Sequence, residues 1–173
     1  CGSAMQTTIY GHDQIKAGTS DIVLCGGMES MSNAPHVLPK ARQGLGTGNA
    51  EICDHMFLDG LQDAYEGRLM GTFAQATATD AGLTREDMDA FAIESLNRAK
   101  KAIEDGSLDA EIVPVTIKTR KGETTVTQDE QPLTANLDKI PKLRPAFAKD
   151  GTITAANSSS TSDGASALLL ASE

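Results

Sequence analysis

Two short apolar runs, "DIVLCGG" at 21–27 and "ASALLLAS" at 165–172, stand near opposite ends of this 173-residue chain. Each is too short for a helical stripe and is bounded by turn-forming residues, the pattern of a strand buried on both faces. Two such strands bracketing a long insertion are expected to be neighbours in one sheet, with the middle of the chain forming a lobe over it. Ahead of the first run, Ala4, Met5, Ile9 and Ile15 are spaced as an apolar stripe, which predicts a helix from about Gly2 to Ala17 with Gly18 as its stop. Helix, tight turn and buried strand make one arm of a right-handed crossover, so the fold class is α/β.

Between the runs the pattern changes. Residues 31–53 are rich in Gly, Pro and polar side chains with no helical period and read as a long surface excursion. Two helices follow, one near Asp59 to Ala81 and one from Arg85 to Glu104, closed by Gly82 and Gly106. The second carries Thr84 and Asp87 at capping-box spacing and a stripe of Met88, Phe91, Ala92, Leu96, Ala99 and Ile103. "EIVPVTIKTRKGETTVT" predicts two strands joined around Lys121-Gly122, and the small hydroxyl-rich stretch "NSSSTSDGA" reads as loop.

Small residues must do the packing. Aromatics make up 3% of the chain with no Trp, while glycines number 16. Close approach of helix to strand is the habit of α/β proteins that hold extended ligands in crevices. The formal charge of −9 argues against a nucleic-acid binder. Within it, the window from Lys118 to Lys149 carries seven basic against four acidic residues. That window could hold a small polyanion such as a coenzyme phosphate, or form a solvated face of mixed charge.

Cysteines at 1, 25 and 53 form no CxxC pair and are odd in number, so neither a disulfide framework nor a metal site is indicated. No stretch approaches the roughly 18 apolar residues of a membrane span, and no signal-peptide pattern opens the chain. The expectation is a cytoplasmic protein without membrane association. A chain with no initiator Met could have lost a targeting segment with other sequence.

Cys1 stands where the first helix begins. Unpaired backbone N–H groups and the positive end of the helix dipole favour a thiolate at such a position, which is how a nucleophile is made. A cysteine that merely happens to precede a helix is the alternative. Cys25, ending an apolar run, and Cys53 read as structural. His12, His36 and His55 carry no sequence signal for pairing with a thiolate, and His12 lies about three turns down the helix, out of reach of Cys1.

The segments "CGSAM", "GGMESMSNAPH", "DGLQDAYEGRLMGTFA", "DAFAIESLNRA", "EIVPVTIK" and "LRPAFAKDGTITAANSSSTSDGA" together resemble the thiolase superfamily, the acetyl-CoA acetyltransferases and 3-ketoacyl-CoA thiolases. The likeness runs through essentially the whole chain in order. It implies part of a thiolase-like fold: the helix and buried strands of an N-terminal core with a large inserted α+β loop domain. The implied division is 1–30 for the nucleophile helix and strand, 31–161 for the loop domain, and 162–173 for the returning strand.

By the same resemblance Cys1 matches the acyl-accepting nucleophile, whose acylation divides a Claisen condensation or its reversal into two steps. Leu61 and Met70 are implied as apolar walls of a coenzyme A pocket, Phe147 and Ala155 as neighbours of adenine and pantetheine, and Ser159 as a polar contact to the pantetheine amides. Glu29 and Asn157 read as structural, satisfying turn and backbone groups. Coenzyme A is then a substrate, with no separate cofactor or metal. The segment from Val37 to Cys53 matches the part of the family that forms tetramer contacts, so a dimer or tetramer is implied for the full-length protein; a surface loop is the alternative.

The sequence departs from the short-chain acetyltransferase pattern at two positions. Leu69 stands where many carry a histidine before Met-Gly, and "EQPLTANLDKIPKLRP" offers Pro132 where they carry an arginine on the coenzyme pocket. The family's Gly-His-Pro and Asn-Glu-Ala-Phe segments are absent from these residues, and neither Cys25 nor Cys53 matches its proton-abstracting cysteine. The expected function is acetyl-CoA C-acetyltransferase, with this portion inactive alone. The alternatives are a 3-ketoacyl-CoA thiolase of fatty-acid β-oxidation with longer acyl preference, a non-catalytic coenzyme A-binding or structural fragment, and an N-terminal-cysteine amidohydrolase. The last is disfavoured because a helix follows Cys1 where such enzymes need strands.

Overall fold

A computed structural model describes residues 1–173, which divide into two compact units: Cys1–Met70 with Ser160–Glu173, and Gly71–Ser159. In the first unit, helix α1 (Ser3–Lys16) is followed by strand β1 (Ile22–Glu29). The last strand, β6 (Gly164–Ala171), pairs antiparallel with β1 along its whole length, from Ile22 opposite Ala171 to Glu29 opposite Gly164. The two apolar runs are therefore sheet neighbours, as their bracketing of the insertion predicts. Gly18, at φ +69, ends the helix region.

The face that α1 turns to the sheet keeps only Ala4 and Ile15 of the predicted stripe. Met5 is 72% exposed and Ile9 48%. Instead Ala4, Thr7, Gly11 and Ile15 follow one another at spacings of three and four, half-buried or buried. A Cβ on Gly11 would run into Cys25 Sγ, and one on Gly27 would lie 2.9 Å from Ala4 Cβ. Close approach therefore selects small residues at Ala4, Gly11 and Gly27, and Met5 and Ile9 turn outward.

β1 and β6 are also more open than the expected burial on both faces. Val23, Cys25 and Gly27 alternate under α1, and Cys25 is buried at 5% exposure. On the other face Ile22, Leu24, Met28 and Leu169 are exposed, because a two-stranded ladder covered by one helix has only one protected side.

Residues 31–70 carry short elements. β2 (His36–Val37) pairs with β3 (Cys53–Asp54), with His36 opposite Asp54 and Val37 opposite Cys53, which closes the Gly-rich excursion into a loop. The single helix expected from Asp59 is broken. A wide turn over Phe57–Leu61 gives way to a tight reversal in which Asp63 Oδ2 accepts the N–H groups of Tyr65 and Glu66 at 3.1 and 2.6 Å. Gly67, at φ +69, completes it. An aspartate offering its backbone a local partner competes with helix, and here it wins.

In the second unit, α2 (Met70–Asp80, its first residue belonging to the other unit) and α3 (Arg85–Asp105) are separated by Gly82, at φ +65. The predicted capping box is present: Asp87 N–H donates to Thr84 Oγ1 at 3.1 Å and Thr84 N–H to Asp87 Oδ2 at 3.3 Å. α3 stops at Gly106, φ +67. Most of its expected stripe is half-buried, but Phe91 is 79% exposed. β4 (Val115–Thr119) and β5 (Gly122–Val126) form the expected hairpin. A short helix α4 (Glu130–Thr134) and a 3₁₀ turn over Leu137–Lys142 follow, and residues 143–159 are loop. No helix is long and apolar enough to cross a membrane.

Candidate active site

Cys1 is exposed and lies one residue before the N-cap, Gly2, of α1. The first helical hydrogen bond runs from Gln6 N–H to Gly2 O at 2.9 Å, so the N–H groups of Ser3, Ala4 and Met5 have no partner within the helix. No side chain caps them. Such groups attract an anion, and a glycine N-cap leaves their approach open.

The thiol borders a cleft of about 340 Å³. Ser3 and Ala4 from the first turn of α1, Gly27 to Glu29 from the end of β1, and Ser162 with Gly164 to Ser166 around the start of β6 form its walls. All three elements converge because α1 sits closely over β1 and β1 is paired to β6 in register. The cleft is lined mainly by small residues, which leaves room for a narrow, extended ligand. Neither Leu61 nor Met70 lines it.

Two carboxylates shape its rim. Glu29 Oε1 accepts Ser30 N–H at 3.2 Å, the turn-satisfying role read from the sequence. Asp163 Oδ1 accepts Ser32 N–H at 2.8 Å and joins the turn after β1 to the chain entering β6. That backbone donor, with further bonds from Ser32, Ser30 and Met31, holds the Asp163 carboxyl below its ordinary range. Sequence reasoning missed Asp163, whose signal would have been its place in the hydroxyl-rich loop beside a strand start.

The remaining thiols differ from Cys1. Cys25 is buried against α1, and Cys53 is half-buried, its thiol pushed up by desolvation first and by Glu51 second. Two of the three histidines pair locally, His12 Nδ1 lying 3.2 Å from Asp13 and His55 Nε2 3.0 Å from Asp59, and none of the three lines this cleft. No group of three or more His, Cys, Asp or Glu side chains could hold a metal ion.

Leu61 is half-buried beside the Asp63 reversal and Met70 is 43% exposed. In the second unit, Phe147 is half-buried and its ring occupies the space in front of Gly71, where any Cβ would collide with it. Ala155 and Ser159 are exposed on one tightly tied loop. Within it Asn157 Oδ1 accepts Thr154 N–H at 2.7 Å and Asn157 Nδ2 donates to Thr152 O at 2.9 Å, the structural role expected of that residue. Ser159, with Ala156 to Ser158, also borders a cleft of about 600 Å³ whose opposite wall is Leu83, Met88, Phe91 and their neighbours on α3. Phe147 and Ala155 do not line that cleft. Pro132 is buried in α4.

The whole chain, residues 1–173, matches the family model of the thiolase N-terminal domain. It is 47% identical to acetyl-CoA acetyltransferase of Saccharomyces cerevisiae, over all of this chain and 44% of that protein. Among solved structures it superposes on an acetyl-CoA acetyltransferase from Syntrophomonas wolfei with a TM-score of 0.90 and 42% identity, covering 100% of this chain and 44% of the other. The Acat5 thiolase from Ascaris suum, solved in complex with coenzyme A, gives a TM-score of 0.86 and 42% identity over 99% of this chain and 44% of that one. The chain thus spans less than half the length of these relatives, and over all of its own length it belongs to the thiolase N-terminal domain family.

Proposed function

We propose that this chain supplies the acyl-accepting part of an acetyl-CoA C-acetyltransferase, with Cys1 as the nucleophile. The Cys1 thiolate attacks the thioester carbonyl of acetyl-CoA, the bond from that carbon to the coenzyme sulfur breaks, and coenzyme A leaves with the proton that Cys1 gave up. The resulting acetyl-cysteine passes its acetyl group to the α-carbon of a second acetyl-CoA, the bond to the Cys1 sulfur breaking and the proton lost from that carbon ending on the sulfur; in the reverse direction Cys1 takes the acetyl group from a 3-ketoacyl-CoA and a coenzyme A thiol then releases it. The first turn of α1 stabilises the charged sulfur, a helix terminus being worth roughly 0.3–2 kcal/mol to an adjacent charge.

The observation that carries this reading is the exposed Cys1 thiol at the uncapped start of α1, bordering a cleft of small residues, in a chain of the thiolase family. Coenzyme A as the substrate is supported by the Ascaris relative, which was solved with it bound. Leu61, Met70, Phe147, Ala155 and Ser159 are proposed as its contacts on the strength of the family motif they match. The proposed dimer or tetramer of the full-length protein rests on the segment from Val37 to Cys53.

The test is exchange of label between acetyl-CoA and free coenzyme A by the polypeptide that contains this segment. Exchange that disappears in Cys1→Ser supports the reading, and exchange that survives it overturns Cys1 as the acceptor. The 173 residues alone are expected to give no thiolysis of acetoacetyl-CoA, because the histidine and second cysteine of the family are not among them.

A further inference from the structure

The contact between α1 and β1 is made of residues with almost no shape. Ala4 rests on Gly27, and Cys25 Sγ fills the gap that Gly11 leaves, so the helix comes close over small residues. Packing of this kind sets how closely the helix approaches the strand but, at the Ala4–Gly27 end, carries no directional bond. A directional bond between the two elements is present one turn further on, at Thr7.

Thr7 Oγ1 accepts the N–H of Gly26 at 3.1 Å, and the same oxygen lies 2.9 Å from Gly26 O and 2.8 Å from Ala4 O. One hydroxyl proton serves one of the two carbonyls at a time. In either arrangement Gly26 N–H remains bonded, so the hydroxyl ties α1 to β1 at the residue preceding Gly27 and Met28 of the Cys1 cleft. The neighbouring hydroxyl of Thr8 makes no such link; it bonds back to Ala4 O at 3.0 Å.

We infer that Thr7 is the positioning residue that holds the Cys1 turn against β1. The inference rests on Cys1 being the nucleophile and adds the residue through which the sheet fixes the uncapped N–H groups relative to that sulfur. Thr7 touches neither the thiol nor the cleft and acts only through the first turn.

The experiment follows iodoacetamide alkylation of the Cys1 peptide across pH 5–9 in the whole chain, for wild type, Thr7→Val and Thr7→Ser. Valine keeps the shape and removes the bonds; serine keeps the bonds. Glu29 lines the cleft and Asp163 stands beside it, between the lining residues Ser162 and Gly164; threonine, valine and serine are all uncharged, so neither variant changes the local charge. Thr7→Val is expected to slow alkylation at neutral pH by roughly three- to tenfold and to move the midpoint of the profile upward, the scale of disturbing one helix terminus. Thr7→Ser is expected to restore the wild-type profile. A circular dichroism melt identifies the folded population on which each rate is measured.

A folded Thr7→Val with the wild-type profile overturns the positioning role, as does a Thr7→Ser as slow as Thr7→Val. A wild-type Cys1 that titrates like a cysteine in an unstructured peptide overturns the nucleophile reading itself, and the role of Thr7 with it.

Discussion

The side-chain amide of Gln75 is bonded at both of its ends to Thr152: Oε1 accepts the Thr152 N–H at 2.9 Å, and Nε2 reaches Thr152 Oγ1 at 3.3 Å. The same oxygen accepts Ile153 N–H at 3.2 Å, and Gly151 leaves the space the amide needs. One side chain on α2 therefore holds the loop that carries Ala155 and Ser159. Gln75→Ala would leave two part-buried N–H groups without a partner, each worth about 1–3 kcal/mol. It is expected to lower unfolding stability by about 2 kcal/mol or more in urea titration. Gln75→Glu keeps the acceptor oxygen and is expected to cost less than half as much.

Gly11 meets Cys25 where α1 crosses the sheet. Alanine is worth about 1 kcal/mol over glycine within a helix, whereas an overpacked contact costs about 1–3 kcal/mol. Gly11→Ala is therefore expected to be net destabilising, its new methyl facing Cys25 Sγ, Leu170 Cδ1 and Val23 Cγ1. In a Cys25→Ala background the sulfur is gone and the same change is expected to become neutral or stabilising. A double-mutant cycle read by thermal melting checks the reversal.

Arg85 is the clamp of α3. Its Nε donates to Asp89 Oδ2 at 2.7 Å, while Nη2 donates to the carbonyls of Ile140 and Leu143, each at 3.0 Å. Asp89 is 5% exposed and its Oδ1 has no partner, so the arginine is what makes that buried carboxylate tolerable. Breaking such a pair costs about 3–5 kcal/mol, whereas replacing both members by apolar residues can be neutral. Arg85→Met is expected to destabilise within that range, and Arg85→Met with Asp89→Leu to recover most of the loss, measured by denaturant unfolding.

The capping box gives α3 a pH dependence. Thr84, through its side-chain and backbone bonds, holds the Asp87 carboxyl below its ordinary value. A carboxylate with a depressed folded pKa stabilises the fold fully above its unfolded pKa, about 3.9, and that contribution is lost as pH falls through the folded value. Melting temperature is therefore expected to fall on acidification below about pH 4, and Thr84→Ala is expected to flatten the part of that fall that Asp87 supplies. Removal of the cap hydroxyl costs about 1 kcal/mol at neutral pH.

What the sequence revealed and what it hid follow different physics. Local chemistry was legible: Thr84 and Asp87 announced the cap, Gly82 and Gly106 the helix ends, and the bracketing apolar runs the pairing of β1 with β6. Choices made by tertiary contact were not. The helix stripe written as Ala4, Met5, Ile9 and Ile15 holds at Ala4 and Ile15 and fails at Met5 and Ile9, because the close approach to β1 is made through Ala4, Thr7 and Gly11. The helix expected from Asp59 fails at Asp63, whose carboxylate outbids the helical partners of Tyr65 and Glu66. At the candidate site, Cys1 stood out by its place at a helix start and by its motif. Thr7 and Gln75 stand outside the quoted motifs, Asp163 stands in one without its role being marked, and Arg85 shows only its local spacing to Asp89; their roles come from bonds to Gly26, Thr152, Ser32 and Ile140, far along the chain.

The account stands on Cys1 as the acyl acceptor, and the most direct test maps where acetyl-CoA leaves its acetyl group. After incubation with acetyl-CoA and digestion, the account predicts a hydroxylamine-sensitive acetyl group on the Cys1 peptide, with Cys53 and the buried Cys25 unmodified. Acetylation of Cys53 in preference to Cys1, or a Cys1 peptide that stays unmodified in a polypeptide that turns over acetyl-CoA, would contradict it.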